Sequence, residues 1–176
     1  MRINLNELYH YGVPGMKWGV RRYQNKDGTR TDLGKAHARE QRINKILDIT
    51  PDAAKITNDI VRNAIESKTV LDVINNESQK RHLALGKDYI EGRSYLDCDL
   101  ETAKKVYNKV RGTGEPILDS NGNWTNKERV ILPVSVAVYV DPNTGEKSKP
   151  SKFARITYSK TGSHIMAQNI KKGGKK

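Results

Sequence analysis

Cysteine occurs once in this 176-residue chain, at Cys98, so no intrachain disulfide can form and a disulfide-stapled scaffold is excluded. That thiol stands between Asp97 and Asp99; their charges disfavour a thiolate, which argues against a cysteine nucleophile. Long apolar runs are missing as well. No stretch approaches membrane-spanning length, and the first eleven residues lack the apolar centre of a secretory signal. The expectation is a protein of a reducing compartment, with no membrane partner, unless other machinery exports it. Histidine is scarce, with four residues at His10, His37, His82 and His164. With one cysteine they give no zinc-ligand spacing, and no Asp/Glu cluster resembles a two-metal nuclease, so neither a metal nor another cofactor is expected. Hydrophobic residues make up 35% and charged residues 30% of the chain, enough for one modest core and an extension.

What the chain has in excess is positive charge, +12 overall, and it is concentrated at the two ends. Residues 1–45 carry ten Lys/Arg against four Asp/Glu, residues 141–176 nine against two, and the middle thirteen against fourteen. Basic ends around a neutral centre suit a polyanion such as nucleic acid, because phosphate contacts supply much of the affinity for such partners. Solubilising tails are the plainer alternative for short runs such as Lys171-Lys172-Gly173-Gly174-Lys175-Lys176.

Four segments follow from pattern. Residues 1–45 form a basic segment in which Tyr9, Tyr11, Trp18 and Tyr23 alternate with glycines and cations. Asn25-Lys26-Asp27-Gly28 reads as a turn, and the aromatics need another surface to dock on. Residues 46–73 read as a helical spacer: Thr50 and Pro51 look like a helix start, with Ile56, Ile60, Val61, Ala64 and Ile65 on one face through residue 67. Residues 74–168 read as the functional domain. In it a helix is expected over 77–85, ending at Gly86, and a second one capped by Asp99 and carrying Leu100, Ala103, Val106, Tyr107 and Val110. A hairpin turns at Asp119-Ser120-Asn121-Gly122. Val134, Val136, Val138 and Val140 alternate as the aliphatic face of a strand, and residues 153–159 and 163–166 supply two more. Residues 169–176 are a basic tail. The fold class is α+β: two helices on an antiparallel sheet of four to five strands, preceded by a helical and irregular N-terminal extension.

Cleaving RNA without a metal needs a base for the 2′-hydroxyl, an acid for the leaving oxygen, and cations or donors on the phosphate. Histidine suits either proton role because its ordinary pKa is near neutrality. His82 and His164 both fall in the domain beside cations, Lys80 and Arg81 for one and Lys160 for the other. Around His164 the run Tyr158-Ser159-Lys160-Thr161-Gly162-Ser163-His164-Ile165 adds three hydroxyls at one turn. Arg111-Gly112-Thr113-Gly114 can present backbone N–H groups and a hydroxyl to a phosphate or can serve as a helix stop; it is not a nucleotide fingerprint. Lys127-Glu128-Arg129 reads as a solvated strand edge, unless Lys127 or Glu128 faces a cleft.

Taken in order, Gln79-Lys80-Arg81-His82, Gly92-Arg93-Ser94-Tyr95-Leu96, Arg111-Gly112-Thr113-Gly114, Trp124-Thr125-Asn126-Lys127-Glu128 and the run from Tyr158 to Ile165 resemble the bacterial polymorphic toxin type 50 domain over about residues 74–167. The chain departs from that pattern after His82, where Leu83-Ala84-Leu85-Gly86-Lys87 replaces a His-Ile-x-Gly-Thr-like run. The resemblance implies a ribonuclease of the barnase, EndoU and RelE-like class. It implies an active site around His82, Thr113, Ser159, Lys160 and His164, with Arg111 or Lys127 at the phosphate; Arg81, Thr161 and Ser163 are added as substrate-binding candidates. RNA is then the expected substrate and an immunity protein a candidate partner. The segment from Tyr9 to Asn25 is similar to one recurring in head-associated proteins of tailed phages, which implies docking on capsid or head proteins through residues 9–23. The expected location is the virion and then the host bacterial cytoplasm. The alternative function is a non-enzymatic, nucleic-acid-binding minor head protein; inhibition of a host defence nuclease is a third.

Overall fold

The computed structural model describes residues 20–169 apart from residues 54 and 85. Residues 9–19 of the expected docking segment and the basic tail from residue 170 lie outside the described residues. Two compact units are present, Met1–Ile43 and Asn44–Lys176.

In the first unit, α1 (Val20–Tyr23) leads into a tight turn. Asp27 closes it by accepting from the Thr29 hydroxyl (2.6 Å) and N–H (2.9 Å), and Gln24 and Arg30 bridge across it. The turn expected at residues 25–28 is therefore present. His37 stacks on Tyr23 at 4.7 Å. α2 (Asp32–Ile49) takes in the basic residues 35–45, and its last turns give Leu47 to the second unit.

The second unit is α+β. α3 (Asp59–Glu66) starts eight residues later than Thr50 and Pro51 suggested, because Asn58 is the cap and accepts from the Ile60 and Val61 N–H groups. The preceding stretch is held by other partners: Ala53 N–H donates to Asn108 O (3.0 Å) and Asn58 N–H to Gly112 O (3.0 Å), and the Thr57 hydroxyl also reaches Gly112 O (3.3 Å). α4 (Asn76–Lys80), capped by Asn75, ends short of the expected 77–85 helix. The chain there leaves helical pairing to meet β1 (Tyr95–Leu96): Leu96 N–H donates to His82 O (2.8 Å), and Leu83 bridges Leu96. α5 (Leu100–Val110) agrees with the sequence reading. Asp99 caps it through the Thr102 N–H, and Ala103, Val106, Tyr107 and Val110 are its buried stripe.

β2 (Glu115–Leu118), β3 (Trp124–Ile131), β5 (Phe153–Thr157) and β6 (His164–Ala167) form a four-stranded sheet in that order, antiparallel throughout. β4 (Ala137–Val138) pairs with β1 in a separate ribbon, and its Ala137 also bridges Ser151. The long strand expected at 134–140 is thus reduced to two residues. Its valines are buried, but so is Ala137, so both faces are covered at β4 and the valine alternation marks core rather than an extended ladder. The expected solvated edge at 127–129 is corrected too: β3 is internal to the sheet and Glu128 is fully buried.

One sheet face, with Glu128, Val130, Ala154, Ile156, Tyr158, Ile165 and Ala167 buried, shares the core with the α5 stripe. Strand β6 is an edge, and an exposed edge invites pairing with other chains. Gln79 closes it, donating from Nε2 to Ile165 O (2.9 Å) while Oε1 accepts from Ile165 N–H (2.8 Å). A buried amide side chain thereby replaces a missing strand. Residues 46–73, read as a spacer, bury Leu47, Val61 and Val70 completely or nearly so in this same unit.

Candidate active site

Directly opposed residues of antiparallel strands point to the same face. Register therefore writes out the second sheet face as rows. Lys127, Thr157 and His164 form one row across β3, β5 and β6; Arg129, Arg155 and Met166 form the next; Ile131 and Phe153 form a third. Neighbouring strands lie about 4.8 Å apart, so Lys127 and His164 are two strand spacings from each other. This face is basic, with three cations among these eight side chains.

His82 reaches His164 from the loop after α4. The two imidazoles stack with centroids 5.2 Å apart and planes only 2° from parallel. His82 is 6% exposed, and its Nδ1 lies 2.9 Å from Ser94 O. A carbonyl oxygen can only accept, so Nδ1 carries the proton and Nε2 of neutral His82 is left with a free lone pair. Ser94 is itself fixed, its hydroxyl accepting from Val140 N–H (3.0 Å). An open cleft of about 400 Å³ lies beside His82, lined by Arg93, Ser94, Tyr139, Pro142 and Met166 among others.

Both histidines are held below the ordinary imidazole pKa. For His82 burial is the main cause, opposed by the Ser94 hydrogen bond and reinforced by the charges of Arg93, Arg155 and Arg81. His164 is lowered to about 4 by burial, then by His82, Arg155, Arg81 and Arg93. The unfolded chain therefore takes up these protons first as pH falls. The stability that the neutral pair contributes is complete above pH about 6.5 and is lost toward pH about 4. Urea unfolding at pH 7 and pH 4.5 should differ on the order of 2 kcal/mol more in the wild type than in His164→Gln; equal differences would contradict this.

Arg155 completes the cluster. Burial lowers its pKa, its Nε has no hydrogen-bond partner, and one terminal nitrogen contacts Met166 Sδ at 3.3 Å. No carboxylate pairs with it among the described residues. A desolvated, uncompensated guanidinium beside two histidines is costly without an anion, and it is shaped to grip a phosphate.

The remaining expected site residues divide sharply. Arg81 acts electrostatically on both histidines, and Lys127 shares the row of His164. Two of the three hydroxyls serve the turn itself, and the third ties it to the segment between α3 and α4. Ser159 donates to Gly162 O (2.6 Å) and accepts from Thr161 N–H (3.2 Å), its oxygen lies 3.1 Å from the Thr161 hydroxyl, and buried Ser163 donates to Leu71 O (2.9 Å). Lys160 is exposed on that turn.

Arg111 and Thr113 belong to a different centre. Arg111 pairs with Asp72, which also accepts from Tyr107 Oη (3.1 Å), and Thr113 donates to Val110 O (2.8 Å). The Gly112 and Gly114 N–H groups, read as available to a phosphate, already donate to the Glu128 carboxylate at 2.7 and 3.2 Å. Tyr158 Oη donates to the same carboxylate at 2.6 Å. Burial raises the Glu128 pKa while these donors oppose it, and Tyr158 is pushed up by burial and by Glu128. Gly112 has φ +67°, and a Cβ there would run into Ile56, so no other residue fits this loop easily. The motif is an internal anion socket already filled by the protein's own carboxylate.

Arg155, Arg93 and the Ser94 carbonyl were missed in the sequence reading. The period-two pattern of residues 153–159 carried a usable signal for Arg155, since that cation shares its strand face with Thr157 opposite His164.

The family model described as Bacterial toxin 50 matches residues 74–167. A second, described as a family of unknown function (DUF7211), matches residues 5–25, most of which lie outside the described residues. No curated protein matches the chain.

Proposed function

This chain belongs to the Bacterial toxin 50 family, and from that premise we propose that its toxin domain is an endoribonuclease that works without a metal. The observation that carries the reading is the stacked His82–His164 pair, one member locked into a base-competent tautomer, beside the unpaired Arg155.

His82 Nε2 takes the proton of a 2′-hydroxyl, and the freed oxygen attacks the adjacent phosphorus. The new P–O2′ bond forms as the P–O5′ bond breaks, and His164 protonates the departing 5′ oxygen. The products are a 2′,3′-cyclic phosphate and a 5′-hydroxyl end. Arg155, with Arg81, Arg93 and Lys127 nearby, offsets the charge that grows on the phosphoryl oxygens. His164 must be protonated to act, yet the apo site disfavours its cation. The incoming phosphate reverses that balance, since a nearby opposite charge favours the charged form. Thr113, Arg111, Ser159, Thr161 and Ser163 take positioning roles in this scheme, and Lys160 at most an electrostatic one.

Purified full-length chain incubated with labelled RNA in EDTA is expected to cut it. Intact RNA after prolonged incubation, with salt-sensitive binding to RNA and DNA alike, would favour the non-enzymatic nucleic-acid-binding reading instead.

We also propose that residues 9–23 dock the protein on phage head proteins, for delivery to the host cytoplasm. Deleting residues 1–23 is then expected to abolish sedimentation with phage heads while RNA cleavage persists. Unchanged sedimentation would remove the docking role.

A further inference from the structure

A second cleft, of about 490 Å³, opens at the other end of the basic sheet face, lined by Gly114, Glu115, Arg129, Ile131, Phe153 and Gln168 among others. Of its strand residues, Glu115, Arg129, Ile131 and Phe153 share the face of His164, because Glu115 opposes Arg129, Arg129 opposes Arg155, and Ile131 opposes Phe153. Phe153 is the only phenylalanine of the chain. It stands 41% exposed beside Ile131, which is 69% exposed. Two of the lining residues each carry a buried polar atom without a partner, Arg129 Nε and Gln168 Oε1. Arg129 is otherwise held by Glu115 at 3.2 Å.

Such a combination is costly for a free surface: exposed aromatic and aliphatic area, one orphan donor and one orphan acceptor. A planar heterocycle with its own donors and acceptors answers all of these at once. The intervening row, Arg129 to Arg155, is cationic, so a phosphodiester backbone can run along it between the two sites. Phe153 and Thr157 are four residues apart on one strand, about 13 Å, which is a few nucleotides at most from the scissile phosphate beside His164.

We propose that this cleft is a nucleobase subsite, in which Phe153 stacks on an unpaired base of the RNA substrate and Arg129 and Gln168 contact its edge. It rests on the ribonuclease reading for its biological meaning, but its test does not. Equilibrium binding is measured by fluorescence anisotropy with full-length protein and uncleavable 2′-deoxy oligonucleotides, each carrying one abasic position. For wild type, one position, displaced from the phosphate held beside His164, should weaken binding about tenfold, the scale of base–aromatic stacking. Phe153→Ala should bind the intact oligonucleotide about tenfold more weakly and be indifferent to that abasic position, and Gln168→Ala should blunt the preference for its base. Phe153 is partly exposed, so the variant should keep the wild-type melting transition. If no abasic position matters, or Phe153→Ala remains as sensitive as wild type, the subsite is overturned and the cleft is left to a protein partner. Failure of the cleavage reading shows separately, as intact RNA with wild-type protein.

Discussion

His82→Asn lowers the rate of RNA cleavage by about a hundredfold or more while the protein stays folded. The variant is chosen because its side-chain amide N–H can still reach Ser94 O, the partner of Nδ1 at 2.9 Å, whereas nothing replaces Nε2. A loss in this variant therefore reports the missing base rather than a collapsed loop. His164→Gln should fall by a similar factor, and the double variant by much less than the product of the two, because paired acid and base act as a unit. Arg155→Lys tests the phosphate contact. A point charge on a flexible stem keeps the field but not the planar fork, so its loss should be smaller than that of either histidine variant. Rates measured on short labelled RNA, with circular dichroism as the fold control, decide the matter. Wild-type rates in His82→Asn would remove the residue from the chemistry.

Removing residues 1–73 unfolds the toxin domain. The family match begins at residue 74, but the compact unit begins at Asn44. Leu47, Val61 and Val70 are 0–1% exposed in it. Burying each contributes roughly 1.5–3 kcal/mol, and together that rivals the about 5–15 kcal/mol of a whole domain. Backbone pairing is lost as well, including Leu71 N–H to Ser159 O (2.9 Å) and Ser163 N–H to Val73 O (2.7 Å), both at the turn that leads into His164. A fragment starting at residue 74 is expected to show no cooperative melting, and one starting at residue 44 to melt like the full chain. Cooperative melting of the shorter fragment would show that residues 44–73 are dispensable.

These two cases also mark how far the sequence could be read. The α5 helix, its Asp99 cap and its buried stripe were legible because cap and periodicity agreed. The hairpin before β3 and the strands holding Phe153 and His164 were legible from turn residues and alternation. The pairing of His82 with His164 was readable only as two candidates, since it depends on the fold closing the 81 residues of chain between them. Register, which sets Arg155 beside His164, is likewise a property of paired strands and not of one strand.

Arg111-Gly112-Thr113-Gly114 shows why the rest was hidden. A glycine loop with free amides looks the same in sequence whether it faces a phosphate or a carboxylate. Only the burial of Glu128, sixteen residues on, shows that the protein supplies the anion itself. The spacer reading of residues 46–73 failed to register packing for a similar reason: an amphipathic helix announces that it has an apolar face, not what that face meets.

The most direct measurement is of the ends left on the products. Full-length protein is incubated with a short RNA in EDTA and the fragments are analysed by mass spectrometry. One fragment is expected to end in 2′,3′-cyclic phosphate and the other in 5′-hydroxyl, with no cut at a position carrying a single 2′-deoxy substitution. Products ending in 5′-phosphate and 3′-hydroxyl, or cleavage at the 2′-deoxy position, would contradict it.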